Sequence, residues 1–504
     1  MFFNFQQELK GMFIQMKNLL KEGNLYGKIM IIIGILIAIP ILIIPFYPDE
    51  AEYVSSFFIP ACFSIIVGFI LCRFFPNSHE KSAYRVELKI GSYVVLFAWI
   101  YGILAGAAPF VLEGMLTPVQ ATFEAVSGWT TTGLSVVDVS TCPYIFHFHR
   151  AFMQFCGGLG FIMMMIIFLH GKHSMSLYNA EGHPDKLFPN IRKTAQVICF
   201  IYCGFLVVGI LMYLACGMNL FDSIVHTMCS LSTGGFSTRV DSIGYYDSLA
   251  IETVTIVQML IGTTNFAALL LLTKGRIAQF FKVSEVRFLC VLLVVFVPVT
   301  AFILTYGLYV NLGSGFRLAL FNIVSALSTT GYSTMSYADW PQAALGIMIV
   351  MMLIGGGIGS TAGGLKLTRV YILLRSTLQN VRQKLYAPRT IQRFTYNTPH
   401  GKEQIDAKLI NNTSSYFVCY LCLFIFGSIA ISITENCDLV SGMFDFSSSL
   451  GTVGLSIGIT GPATSNATLL IEMLGMLLGR LEIFVVFIGA HELYMSLKSR
   501  LHRK

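Results

Sequence analysis

Thr131-Thr132-Gly133-Leu134-Ser135 sets hydroxyls and backbone carbonyls around one glycine, and the pattern Thr-x-Gly-x-Ser returns three times. The other copies are Thr233-Gly234-Gly235-Phe236-Ser237, Thr329-Thr330-Gly331-Tyr332-Ser333 and Thr452-Val453-Gly454-Leu455-Ser456. They recur at intervals of roughly 100 residues, which is an internal repeat at domain scale. The oxygens on offer are neutral, with no carboxylate in any copy, whereas hard divalent cations normally receive carboxylates. A monovalent alkali cation fits this donor set better. Glycine at 133, 235, 331 and 454 permits backbone conformations that aim successive carbonyls one way.

Nine positions before each glycine stand Glu124, His226, Asn322 and Asp445. They are unlike one another and read as polar groups holding a short helix against its neighbour rather than as ion ligands. A second stretch is Gly355-Gly356-Gly357-Ile358-Gly359-Ser360-Thr361-Ala362-Gly363-Gly364, followed by Lys366. Each glycine costs a helix about 1 kcal/mol relative to alanine, so this span is expected to break in mid-membrane. Its likeness to nucleotide loops is weak without a preceding strand. Such breaks are typical of transport machinery, and the loop is expected to lie below the four turns as a gate. Arg480, in Gly479-Arg480-Leu481-Glu482, is read as the one basic residue in the interior of a span. Two roles fit it: a structural pair with Glu482 or a loop carbonyl, or a positive barrier on the cation path that also positions the loop.

The elements that carry these residues are apolar. The 504 residues are 55% hydrophobic and 12% charged, with mean hydropathy +0.71; soluble domains carry about 25% charge. Several runs reach the ~20 residues that cross ~30 Å of hydrocarbon. Most of the 33 Lys and Arg fall in segments 1–28, 73–89, 172–193, 274–287, 366–408 and 498–504, which alternate with the four turns. By the positive-inside rule those segments and both termini are cytoplasmic and the turns open outward. The net charge of +7 is therefore about orientation, and no patch suited to nucleic acid is expected. The 12 cysteines, with Cys199 and Cys203 or Cys419 and Cys422 among them, read as small apolar packing residues.

An amphipathic interfacial helix is expected over 1–27, then a peripheral hairpin of spans 28–46 and 54–75 around the acidic turn Asp49-Glu50-Ala51-Glu52. Thr117-Pro118 opens a helix to Trp129 of only ~18 Å, too short to cross, hence re-entrant. Its C-terminal, partially negative end would face the membrane centre, which favours a cation. The remaining spans are expected from 88 to 110 and 150 to 170, then 195–217 and 250–273, 287–311 and 341–375, 413–434 and 466–495. The fold class is an all-α integral membrane protein, with four membrane-pore-membrane repeats around a pseudo-fourfold pore plus an N-terminal two-helix hairpin. The units are 1–80, 84–172, 190–275, 282–380 and 405–504.

These repeats, their degenerate glycine turns, the Gly355 to Lys366 segment and the Gly-Arg-Leu-Glu-Ile run at 479–483 together resemble the Trk/Ktr/HKT superfamily of potassium transporters, over residues 28–495. The extra hairpin looks like the Trk branch. The resemblance implies potassium uptake, possible symport, a homodimer embedded in plasma-membrane lipid (the inner membrane in bacteria) and a cytoplasmic ring of nucleotide-binding regulatory subunits. No organic cofactor is implied in this chain. The implied filter is Thr130, Thr131, Thr132 and Gly133; Ser232, Thr233, Gly234 and Gly235; Ser328, Thr329, Thr330 and Gly331; and Gly451, Thr452, Val453 and Gly454. K⁺ would be held at Thr131, Thr132, Thr233, Gly234, Thr329, Thr330, Thr452 and Val453. The implied gate is Gly355, Gly356, Gly357, Gly359, Gly363, Gly364 and Lys366, with Arg480. In plant relatives a serine at the first filter glycine goes with sodium selectivity, and here that position is Gly133. Gly234, Val453 and Gly451 depart from the hydroxyl residues of the other turns, so the ring is not chemically fourfold.

Channel-like conduction and coupling to H⁺ or Na⁺ can use the same filter. A secondary transporter of a small organic solute remains an alternative, with its site at the broken helix. A membrane hydrolase does not fit, since His491-Glu492 and His147-x-His149 lack the second helical ligand of a zinc motif.

Overall fold

The computed structural model describes residues 24–75, 84–160, 163, 191–308, 310–385, 394–481, 483, 484, 486 and 487. Most of the expected amphipathic segment, Glu482, His491 and Glu492 lie outside them. Helix α1 (Leu25–Ala38) runs into a 3-10 stretch, Ile39–Phe46, and returns through the turn Pro48–Tyr53 into α2 (Val54–Phe74). Gly27 and Gly68 let these two helices touch, since a Cβ on Gly27 would lie 2.5 Å from the Gly68 carbonyl oxygen. Close backbone approach through small residues is how helices associate in lipid.

The first repeat comprises α3 (Tyr84–Leu112), α4 (Pro118–Trp129) and α5 (Tyr144–Leu159). The second comprises α6 (Ile191–Ala215), α7 (Leu220–Leu231), α8 (Leu249–Thr263) and α9 (Phe266–Thr273). The short helix α10 (Ile277–Phe280) leads to the third: α11 (Ser284–Gly307), α12 (Leu312–Leu327), α13 (Gln342–Leu353) and α14 (Leu367–Leu385). A small antiparallel hairpin, β1 (Thr395–Thr398) and β2 (Gly401–Gln404), precedes the fourth. That repeat holds α15 (Ala407–Thr434), α16 (Leu439–Gly451) and α17 (Asn466–Arg480). Apart from the hairpin, the regular elements among the described residues are helices.

Six helical stretches among the described residues are long and apolar enough to cross a membrane: the two arms of the N-terminal hairpin and the first helix of each repeat. The chain is therefore a multi-pass, all-α membrane protein. The four short helices α4, α7, α12 and α16 all start on a side chain that accepts the backbone N–H three residues on: Thr117, Asn219, Asn311 and Asp438. Thr117 and Gln120 form a capping box with Pro118 at the first helical position, as the sequence suggests. Asn311 stands farther from its glycine than the other three caps do, which makes α12 one turn longer.

Two expectations are corrected. The break in the second span is not peculiar to the third repeat: α5 stops at Gly160 (φ 94°), α8 at Thr264, α13 at Ile354 and α17 at Leu481, the last three extended. The helix pair α8 and α9 bends by 116°. Nothing at 264–265 forbids a helix. The break is fixed instead by the glycine-rich loop, whose Gly357 N–H donates to the Thr263 carbonyl (3.0 Å) and whose Gly359 carbonyl accepts from Phe266 N–H (3.1 Å). Asn265 then caps α9 by accepting from Ala267 N–H at 2.7 Å. The second correction concerns Arg480, which ends α17 and is not the one basic residue inside a span. Among the described residues Arg150 in α5 and Lys28 in α1 are buried within helices, at 1% and 4% exposure.

Candidate functional site

The four turns share one backbone conformation. Thr131, Thr233, Thr329 and Thr452 are left-handed at φ 56°, 53°, 56° and 52°. Each lies just beyond a short helix, and the following N–H reaches back to the last helical turn: Thr132 to Ser127 O (2.9 Å), Gly234 to Cys229 O (2.8 Å), Thr330 to Ser325 O (3.0 Å) and Val453 to Ser448 O (2.8 Å). This is a Schellman closure, whose left-handed position is usually glycine. Threonine there is strained by on the order of 1 kcal/mol. Four copies of that strain indicate that the side chain has a use.

The true glycines come two residues later, at φ 99° (Gly133), 76° (Gly235), 84° (Gly331) and 99° (Gly454). They close a ring. A Cβ on Gly133 would strike the carbonyl oxygen of Gly234, one on Gly235 that of Thr330, one on Gly331 that of Val453, and one on Gly454 that of Thr132. Each turn thus abuts the next in sequence order, and the fourth meets the first. No residue with a side chain fits at any of the four positions without displacing a carbonyl.

The side chains behind the ring differ between turns. Thr130 pairs with Thr132 and Ser328 with Thr330, each at 2.7 Å between hydroxyls. The second turn has Gly234 instead, and the fourth has Gly451 and Val453. Glu124, His226, Asn322 and Asp445 are each fully buried. Each ties its helix to the chain returning from its own turn: Glu124 accepts from Ser135 Oγ (3.0 Å) and Val136 N–H (3.1 Å), and Asp445 from Ser456 Oγ (2.6 Å) and Ile457 N–H (2.9 Å). His226 pairs with Ser237 Oγ at 3.1 Å, and Asn322 donates to Thr334 Oγ1 at 3.0 Å. They are braces, as expected, although within a repeat rather than between neighbours. Arg150 supplies a link between repeats. It donates to Glu124 (2.6 Å) and Ser135 Oγ (2.8 Å) and covers the Phe236 ring of the second turn at 4.1 Å.

The glycine-rich loop lies against the left-handed threonines. Thr361 Oγ1 meets Thr233 Oγ1 at 3.1 Å, and Gly363 N–H donates to Thr329 Oγ1 at 3.1 Å. A Cβ on Gly363 would strike the Thr452 hydroxyl. Gly355 is held by its N–H to Leu365 O (2.8 Å), and Gly356 accepts from Leu367 N–H (3.0 Å). Gly364 is left-handed at φ 64°, and Lys366 Nζ donates to Ala362 O within the same loop. Arg480 donates to the Thr361 and Gly157 carbonyls, which ties the loop to α5. At the loop's other end Glu285, at the start of α11, accepts from Ile358 N–H (3.0 Å) and from Thr368 Oγ1.

The γ-methyls of Thr131, Thr233 and Thr452 rest beside Gly157, Gly262 and Gly479 of the second helices. Their hydroxyls are buried, and among the described residues those of Thr131 and Thr452 find no hydrogen-bond partner. An unpaired buried hydroxyl costs about 1–3 kcal/mol, so a ligand there would relieve it. Four short helices ending at one ring also bring four negative dipole ends together. Both features suit a cation without a carboxylate. Among the described residues no group of three His, Cys, Asp or Glu is placed to hold a metal ion.

Sequence reasoning did not single out Arg150, Gln154, Glu285 or Asn265. A signal for the first two exists: His147, His149, Arg150 and Gln154 are four polar residues in one otherwise apolar helix, and all are buried.

A family model described as TrkH, cation transport protein, matches residues 61–497. A Trk system potassium uptake protein TrkH from Halomonas elongata is 30% identical over 444 residues, covering 84% of this chain and 89% of that one. One from Vibrio parahaemolyticus is 29% identical over 491 residues, covering 92% and 98%. An uncharacterized cation transporter from Methanocaldococcus jannaschii is 27% identical over 485 residues, covering 94% and 96%. The fold is similar to the crystal structure of the potassium transporter TrkH from Vibrio parahaemolyticus, with TM-score 0.78, 26% identity and coverage of 92% and 98%.

Proposed function

This chain belongs to the TrkH family of cation transport proteins, and from that premise we propose that it takes up potassium by stripping the ion of water within the ring of four turns. Membership makes it a transporter and not an enzyme, and a multi-pass protein of the bacterial inner membrane. The observation that carries the potassium reading is the closed contact of the four glycines with neighbouring carbonyls, together with the unpartnered hydroxyls of Thr131 and Thr452. The carbonyls of Thr132, Gly234, Thr330 and Val453 and the hydroxyls of Thr131 and Thr452 would replace the ion's hydration shell. The ion is the cargo. The names of the relatives, which speak of potassium uptake, support the same choice.

The loop from Gly355 to Gly364 is the gate in this reading. Its hydrogen bonds to Thr233 and Thr329 hold it across the inner side of the ring, and Arg480 fastens it while adding positive charge on the path. The relatives' designation as parts of a Trk system supports a cytoplasmic regulatory subunit, and we assign its docking to the face formed by α14 and the β1–β2 hairpin. A homodimer is proposed with it. The test is rubidium-86 uptake into liposomes carrying the purified protein, with K⁺ or Na⁺ as competitor, for the wild type and Gly133→Ser. Strong competition by K⁺ that weakens in the variant supports the reading. No cation uptake even with the regulatory subunit added overturns it in favour of an organic-solute transporter.

A further inference from the structure

Gln154 stands in α5 of the first repeat, is 0% exposed and makes both of its polar contacts to the turn of the second repeat. Its Nε2 donates to the Gly234 carbonyl at 2.6 Å, and its Oε1 accepts from Phe236 N–H at 3.1 Å. The amide therefore straddles Gly235 from behind. Turns one and three are held differently, by the hydroxyl pairs Thr130–Thr132 and Ser328–Thr330. Turn two keeps the first member of that pair, Ser232, whose hydroxyl bonds back to Cys229 O at 3.2 Å, as Ser328's does to Ser325 O, but has no hydroxyl partner at 234. The second member is missing because a Cβ at residue 234 would fall on the Gln154 amide. Gly234 and Gln154 are thus two halves of one substitution: the side chain lost from the turn is supplied by the neighbouring repeat.

The contact also alters the ring electrically. Gly234 O belongs to the set that includes Thr132 O, Thr330 O and Val453 O, each pressed against the preceding turn's glycine, the first turn's against the fourth's. Among the described residues no side chain donates to the other three. A donor on one lone pair reduces what that carbonyl can give an ion, and carbonyl number and field strength both bear on K⁺ over Na⁺ discrimination. A buried glutamine would be costly if unpaired; here both ends are used, so the arrangement is stable as well as asymmetric.

We propose that Gln154 is a positioning residue for the ion ring, replacing the hydroxyl clasp of the second turn and weakening one ring carbonyl, so that its removal lowers discrimination of K⁺ from Na⁺. This rests on the potassium reading above. The experiment compares inhibition of rubidium-86 uptake by Na⁺ and by K⁺ in liposomes for wild type, Q154A, Q154M and the double variant Q154A/G234T. Q154A vacates the space and G234T restores a hydroxyl beside Ser232, as in turns one and three. The ratio of the two inhibition constants is expected to fall about fivefold in Q154A and Q154M, and to recover in part in the double variant, which restores the clasp but not the donor to Gly234 O. A purely structural role would lower the amount of folded protein or the maximal rate and leave that ratio alone. Should Q154A not fold, Q154M, which fills the volume without a donor, carries the test. Wild-type discrimination in these variants, or no recovery in the double variant, overturns this inference while sparing the potassium reading. Absence of cation uptake by the wild type overturns both.

Discussion

Thr131 and Thr452 bury a hydroxyl with no partner among the described residues, whereas the equivalent hydroxyls of Thr233 and Thr329 meet the glycine-rich loop. The four threonines should therefore fall into two phenotypes. Thr131→Ala and Thr452→Ala are expected to raise the K⁺ concentration for half-maximal uptake on the order of tenfold, the equivalent of about 1.4 kcal/mol. Thr233→Ala and Thr329→Ala should chiefly raise uptake in the absence of the regulatory subunit, because they loosen the loop. Four identical shifts would contradict this division. Arg150 and Glu124 make another residue-level case, a hydrogen-bonded pair with side chains 2% and 0% exposed. Breaking such a pair costs about 3–5 kcal/mol, so Glu124→Ala should lower the thermal midpoint markedly in detergent; an unchanged midpoint would contradict the pairing. The threonines and glycines were legible in the sequence because they recur. Their left-handed backbone was not, since nothing in a threonine announces it, and Gln154 was hidden because a residue that acts in one turn only has no repeat to reveal it.

At the scale of elements, the loop and the helix ends around it form one hydrogen-bonded unit. Thr361 N–H and Gly357 N–H donate to the carbonyls of Gly262 and Thr263 at the end of α8, and Arg480 joins the loop to α5. Arg480→Gln should raise uptake without the regulatory subunit, as should deletion of 356–362; unchanged uptake in both would remove the loop from the gating account. Gly363→Ala should act in the same direction, because its new methyl would collide with the Thr452 hydroxyl. The run of glycines made the break in the third repeat legible. The break at Thr264 was not, because no proline or helix-incompatible residue marks it and backbone contacts from a distant loop create it. The clues were weak ones: Thr263-Thr264-Asn265 inside an apolar run, and a glycine near the end of each second helix, at 157, 262, 355 and 479.

Taken whole, the molecule is four similar units made unlike one another by their bracing, with a hairpin fastened to the first. That hairpin is less peripheral than its lack of a repeat element suggests. Glu50, in its acidic turn, accepts from the N–H groups of Tyr144 (2.7 Å) and Ile145 (2.9 Å) and so caps α5, the helix that carries Arg150 and Gln154. Glu50→Ala should cost about 1 kcal/mol, visible as a modest fall in the thermal midpoint with K⁺ selectivity retained; a lost selectivity would mean the cap also sets the ring. The number and order of the repeats could be read from periodicity. What could not be read is which helix supports which turn, since that depends on contacts between repeats. The central claim is that the ring holds the ion. Its most direct measurement is a crystal of the protein grown in rubidium, with anomalous scattering recorded at the rubidium edge. The account predicts density on the axis among the carbonyls of Thr132, Gly234, Thr330 and Val453 and the hydroxyls of Thr131 and Thr452. An empty ring with rubidium bound elsewhere, or nowhere, would contradict it.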